Sequence, residues 1–124
     1  MTSQTPAVSR RFDKSRRLRQ RPEFQRVFDN GQRGKGRFLT ILVAARPSGE
    51  TRLGIVASKK LGDSVRRNRA KRLIREIFRL TPLPAGQGGV DIVVIPRAEM
   101  FDASYASLEK DFRTVLARCT RGRA

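Results

Sequence analysis

The chain has 124 residues, of which 38% are hydrophobic, and it carries a formal net charge of +17 with a sequence pI near 11.8. That length supports one domain with a modest core, and a charge so far from zero calls for an acidic partner, nucleic acid before an anionic membrane surface. The absence of histidine excludes histidine general bases, histidine metal ligands and Ser–His–Asp hydrolysis, the single cysteine (Cys119) excludes an internal disulfide, and no apolar stretch approaches the ~20 residues of a membrane span.

Residues 1–15 are polar and aperiodic and read as a disordered basic arm carrying Arg10, Arg11 and Lys14. A domain is expected over 16–118, followed by a frayed basic tail at 119–124. Pro22 suits the first turn of a short helix, and Asn30-Gly31 suits its end. Phe24, Val27 and Phe28 share one face of that helix, which fits either core packing or stacking on bases. Residues 32–37, Gln-Arg-Gly-Lys-Gly-Arg, read as a mobile basic loop. Phe38 to Ala45 reads as a strand, residues 46–50 as a turn, and Thr51 to Ser58 as a second strand. Leu53, Ile55 and Ala57 alternate on one face of that strand with Arg52, Gly54, Val56 and Ser58 on the other. The short connection predicts an antiparallel hairpin. A helix is expected over about 63–80, a loop over 81–89, and a buried strand from Val90 to Ile95 stopped by Pro96. An amphipathic helix over about 103–118, marked by Tyr105, Leu108, Phe112, Val115 and Leu116, completes an α+β sandwich.

The 63–80 helix holds the densest signal. Arg66-Arg67-Asn68-Arg69-Ala70-Lys71-Arg72-Leu73-Ile74-Arg75-Glu76 places six cations in eleven residues and keeps helical apolar spacing. Ala70, Leu73, Ile74, Ile77 and Phe78 form one arc, with Asn68, Lys71, Arg72, Arg75 and Arg79 opposite. Cations in the first turns oppose the helix dipole, an arrangement that a bound polyanion reverses into an advantage. The excess of arginine over lysine favours forked recognition of phosphate. Basic segments interleaved with Phe24, Phe28 and Phe38 fit single-stranded RNA held by charge and stacking. The one protein-borne catalytic alternative is a two-metal nuclease built from Asp63, Glu76 and Asp91.

The block from Arg52 to Glu76, containing Arg67-Asn68-Arg69 followed by Lys71-Arg72 and Arg75, resembles the protein subunit family of bacterial ribonuclease P. Leu18-Arg19 with Phe24, Val27-Phe28 and Gly31 is similar to the family's opening helix, and the likeness spans roughly residues 16–116. The resemblance implies an αβββαβα sandwich with a central mixed sheet and a left-handed crossover through the basic helix. It implies an accessory role beside a catalytic RNA that cuts precursor tRNA to remove its 5′ leader, with Mg2+ held mainly by that RNA. Arg67, Asn68, Arg69, Lys71, Arg72 and Arg75 are then expected to face the RNA subunit. Arg19, Phe24, Phe28, Arg52, Ser58, Lys59 and Lys60 are expected at the leader or tRNA. No catalytic or metal residue is expected in the protein, nor an obligatory protein partner or a membrane, and the compartment is expected to be the cytoplasm. The first strand lacks the family's frequent cleft aromatic and offers Thr40, Ile41 and Leu42 after Phe38. The rival readings are a structural RNA binder of ribosomal type and a helix-turn-helix DNA regulator. The latter is disfavoured because a strand, not a helix, precedes residue 63.

Overall fold

A computed structural model describes residues 17, 18, 20–46, 50–82 and 89–121. The expected arm over 1–15, Arg19, most of the 81–89 loop and the last three residues of the tail lie outside the described residues. Among the described residues, three helices and four strands follow in the order α1 (Arg21–Asn30), β1 (Gln32–Lys35), β2 (Leu39–Ala45), β3 (Arg52–Ile55), α2 (Ser64–Leu80), β4 (Val90–Pro96) and α3 (Tyr105–Arg121). Short 3-10 turns at Lys59–Leu61 and Ala98–Asp102 precede α2 and α3. This is the αβββαβα order that the resemblance implies.

The sheet order is β1-β2-β4-β3, with β1–β2 and β2–β4 antiparallel and β4–β3 parallel. Two expectations are corrected. Residues 32–35 are an edge strand and not a loop, pairing Arg33 with Leu42 and Lys35 with Thr40. The strand lacks apolar alternation because Gly34 takes the inward position. A Cβ there would lie 2.7 Å from the Cys119 sulfur and 3.0 Å from Val115, so α3 packs directly on the strand's backbone. Second, β2 and β3 run antiparallel but are not neighbours, because β4 lies between them. Two strand spacings are roughly 10 Å, well within reach of a six-residue connection, so a short link did not require pairing.

The strand alternation sorts the core into two layers. Leu39, Ile41, Val43, Leu53, Ile92 and Val94 face α2 and α3, meeting Ala70, Ile74, Ile77 and Phe78 from α2 and Leu108, Phe112, Val115 and Cys119 from α3. Leu42, Ala44 and Val93 face the other way, against Leu18, Phe24 and Val27. Ile41 therefore belongs to the helix-covered core and not to the opposite face. Helix α3 continues to Arg121, three residues beyond its expected end, since Cys119 packs in the core. Tyr105, expected on the buried face, is 41% exposed at the first turn. Asp111 of α3 accepts hydrogen bonds from the backbone N–H groups of Arg37 (3.0 Å) and Phe38 (2.9 Å), pinning the β1–β2 turn to the helix.

Helix α1 sits close to the sheet at Gly54. A Cβ on Gly54 would lie 2.6 and 2.7 Å from the Phe24 ring and 2.9 Å from the Leu18 Cβ. Gly54→Ala is expected to lower stability by about 1–3 kcal/mol through overpacking. Adding Phe24→Leu should recover part of that loss in a double-mutant cycle read by urea unfolding. Strict additivity would show that the Phe24 ring is not what Gly54 accommodates.

Candidate nucleic-acid interface

Asp63 caps α2, accepting from the Arg66 N–H at 3.0 Å. The helix then exposes Asn68, Arg69 and Arg72 to solvent, with Arg67, Lys71 and Arg75 partly shielded at its flanks. All six residues expected to face RNA thus lie on one helix; Arg67, three residues before Ala70 and seven before Ile74, borders its buried row, and the other five lie around its remaining sides. Burial, followed by the like charge of Arg17, pushes the Arg75 guanidinium below its ordinary value. Arg66, also exposed, lies over a neighbouring ring, its guanidinium 4.9 Å from the centre of Phe101.

The opposite face of the sheet carries a second basic surface. Helix α1 covers only part of it. Register places Arg33 and Lys35 of β1 on this face, in line with Leu42 and Thr40 of β2 and with Ile95 of β4. Arg97, just beyond β4, donates to the Thr40 hydroxyl at 3.0 Å and to the Gly36 carbonyl. Leu42 and Thr40 are themselves buried, so the accessible part of this shallow groove is basic, from Arg33, Lys35 and Arg97, with the half-buried Ile95 as its apolar element. Of the two α1 phenylalanines, Phe24 packs onto the Gly54 backbone, while Phe28, one turn on, is 39% exposed. Ser58, Lys59 and Lys60 are exposed in the segment that leads from β3 to α2, and the Ser58 hydroxyl accepts from the Lys60 N–H at 3.3 Å. Arg33, Lys35 and Arg97 escaped individual notice in the sequence because their alignment on one face depends on the strand register.

Arg52 departs from its expected place. Its guanidinium turns inward, donating from Nε (2.8 Å) and Nη2 (2.9 Å) to Asp91 and from Nη1 (2.9 Å) to Glu23. Asp91 is fully buried and also accepts from Arg26 Nη2 at 2.8 Å, with Arg46 Nε 3.7 Å away. Burial opposes the Asp91 charge. The hydrogen bonds from Arg52 and Arg26 and the charges of Arg52 and Arg46 outweigh it and hold the carboxyl below its ordinary value of 3.8.

The nuclease alternative is not met. Asp63 caps α2, Glu76 pairs with Arg79 at 2.6 Å on the same helix, and Asp91 lies among arginines on the other face of the sheet. Among the described residues no group of three acidic or cysteine side chains is placed to hold a metal ion. Also among the described residues, no helix is long and apolar enough to cross a membrane.

A mixed sheet with one arginine-rich helix on its covered side and a basic groove on its open side defines an RNA-binding α+β sandwich. The chain belongs to the ribonuclease P protein family, whose sequence profile, described as Ribonuclease P, matches residues 12–120. A ribonuclease P protein component from Clostridioides difficile is 32% identical over 107 residues, covering 86% of this chain and 94% of that one. The structure of a Staphylococcus aureus RNase P protein mutant with defective mRNA degradation activity matches with a TM-score of 0.76 at 30% identity, covering 86% and 90% of the two chains. The RNase P protein from Thermotoga maritima matches with a TM-score of 0.72 at 34% identity, covering 82% and 96%. The chain is accordingly an accessory subunit of a ribonucleoprotein endoribonuclease and works with a partner RNA.

Because the folded Asp91 carboxyl titrates below 3.8, its contribution to stability is complete above that pH and is lost as the pH falls through the lower folded value. Asp91→Asn is expected to cost about 3 kcal/mol at pH 7, the low end for a broken buried pair, since its arginines reach solvent. Urea midpoints of wild type and variant should converge below pH 3.8. A gap unchanged at lower pH would assign the loss to packing and not to charge.

Proposed function

We propose that the two basic surfaces hold two different RNAs, the catalytic RNA on α2 and the single-stranded 5′ leader of precursor tRNA in the groove between α1 and the sheet. The observation that carries this reading is their placement on opposite sides of one four-stranded sheet. Arg67, Asn68, Arg69, Lys71, Arg72 and Arg75 line one helix, whose guanidinium forks suit the closely spaced phosphates of a folded RNA. The groove is narrower in charge and partly apolar, which suits an unpaired strand whose bases are splayed onto Phe28 and whose phosphates run along Arg33, Lys35 and Arg97. Ser58, Lys59 and Lys60, between the two surfaces along the chain, contact the tRNA where the two RNAs meet. Arg52 acts from within, fixing α1 and not touching the leader. Arg19 joins the leader contacts.

Hydrolysis belongs to the RNA, which would also hold the Mg2+ that the reaction uses. The protein's own part is to neutralise phosphates, bring the leader to the cleavage site and lower the Mg2+ concentration at which the RNA fold is competent. No further protein partner is needed, and the enzyme works in the cytoplasm.

Arg67→Ala combined with Arg69→Ala should weaken binding to the ribonuclease P RNA and flatten its dependence on salt by about 1 in log–log slope for each phosphate that is no longer neutralised. An unchanged slope would remove α2 from that interface. The test of the whole reading is cleavage of a precursor tRNA at low Mg2+, with protein alone, with ribonuclease P RNA from the same organism alone, and with both. Cleavage at the mature 5′ end only with both supports the proposal. Cleavage by protein alone would place an active site in the chain, and no stimulation by folded protein would favour a ribosomal-type binder.

A further inference from the structure

We propose that Asp91, with Glu23, is a positioning residue for the single-stranded substrate: the two carboxylates clamp Arg52 and Arg26 so that α1 is held at a fixed height above the sheet and the groove keeps the width that a leader strand requires. This inference rests on the leader-groove reading above.

The geometry is that of a clamp across three elements. Glu23 and Arg26 are on α1, Arg52 is on β3 and Asp91 is on β4. Asp91 binds Arg26 and Arg52 together, and Arg52 reaches back to Glu23, so the helix is tied to the sheet twice, once by Arg26 to Asp91 and once by Glu23 to Arg52. Arg26 adds a bond from Nη1 to the Ala45 carbonyl at 3.1 Å. Glu23 also fixes the start of α1, accepting from the Gln20 N–H at 3.0 Å. The cluster lies one row of sheet residues away from Gly54 and Val93, since Asp91 pairs with Ala44 and Arg52 while Val93 pairs with Leu42 and Gly54. Phe24 presses on Gly54 in that next row. The clamp therefore sits at one end of this face and leaves the exposed Arg33 and Lys35 and the half-buried Ile95 accessible to a ligand. It also draws Arg52 and part of Arg26 away from RNA, so that these cations do not bind structured RNA indiscriminately.

The charge argument makes the proposal testable. Asp91→Asn and Glu23→Gln each remove a negative charge from a polyanion-binding protein, so simple electrostatics predicts tighter binding of every RNA. Loss of the clamp predicts the reverse for the leader alone. The experiment measures dissociation constants of the reconstituted holoenzyme for a precursor tRNA with a single-stranded leader and for the matching mature tRNA at one salt concentration, with single-turnover cleavage at saturating enzyme. Wild type should prefer the precursor. In Asp91→Asn that preference should fall about tenfold, the equivalent of one stacked base, with mature tRNA bound as tightly as before or more tightly and the saturating cleavage rate unchanged. Glu23→Gln should shift the preference in the same direction by a smaller factor. A folded Asp91→Asn protein with wild-type preference overturns the inference, as does an equal loss for both tRNAs. If Asp91→Asn does not fold, Glu23→Gln decides, and wild-type preference in that variant overturns the inference. Lack of preference in the wild type would instead refute the leader-groove reading itself.

Discussion

Everything in this fold is arranged around β4, the last of the four strands in sequence and an inner strand of the sheet. Ile92 and Val94 face α2 and α3, Val93 faces α1, and all three are fully buried. A strand apolar on both faces is stable only if both edges are hydrogen-bonded and both faces covered. Insertion of β4 between β2 and β3 meets the first demand and sends the β3–α2–β4 connection across the sheet. The second demand draws α1 to one face and α2 with α3 to the other. Asp91 is the exception in this strand, and its burial is tolerable because Arg52 and Arg26 surround it with charge-assisted hydrogen bonds.

The few carboxylates of this basic chain are used where folding needs them. Asp63 caps α2, Asp111 pins the β1–β2 turn, Asp91 and Glu23 join α1 to the sheet, and Glu76 and Glu109 pair within their helices. The cations on the outer side of α2 and along the open face of the sheet have far fewer acidic neighbours. Folding thus separates charge that the sequence mixes. Acids are drawn to junctions and bases are left toward solvent, where counterion release rewards their contact with a polyanion.

The same division appears among the aromatics. Phe24 and Phe28 occupy one helix face, yet Gly54 admits Phe24 against the β3 backbone while nothing on the sheet receives Phe28 to the same degree. One ring sets the closeness of helix and sheet, and the other remains accessible. Thr40 is buried and Ile95 half-buried, so Arg33, Lys35 and Arg97 leave that side of the sheet more basic than aromatic.

The sequence alone determined the helices, the faces of β3 and the basic stripe of α2, because each depends on residues three or four apart, or two apart, along one segment. The 52–76 block likewise made the family legible. Strand adjacency was not legible, since a six-residue link suits both a hairpin and a passage over an intervening strand. Nor was β1, whose glycine-rich inward side owes its order to α3. The inward turn of Arg52 was equally hidden. A guanidinium on the open face of a strand looks like a ligand contact until the fold brings Asp91, 39 residues later, alongside it in the next strand. Local periodicity is written in neighbouring residues, whereas the partner of a buried charge is chosen by whichever distant segment packs beside it, and only the tertiary structure decides that.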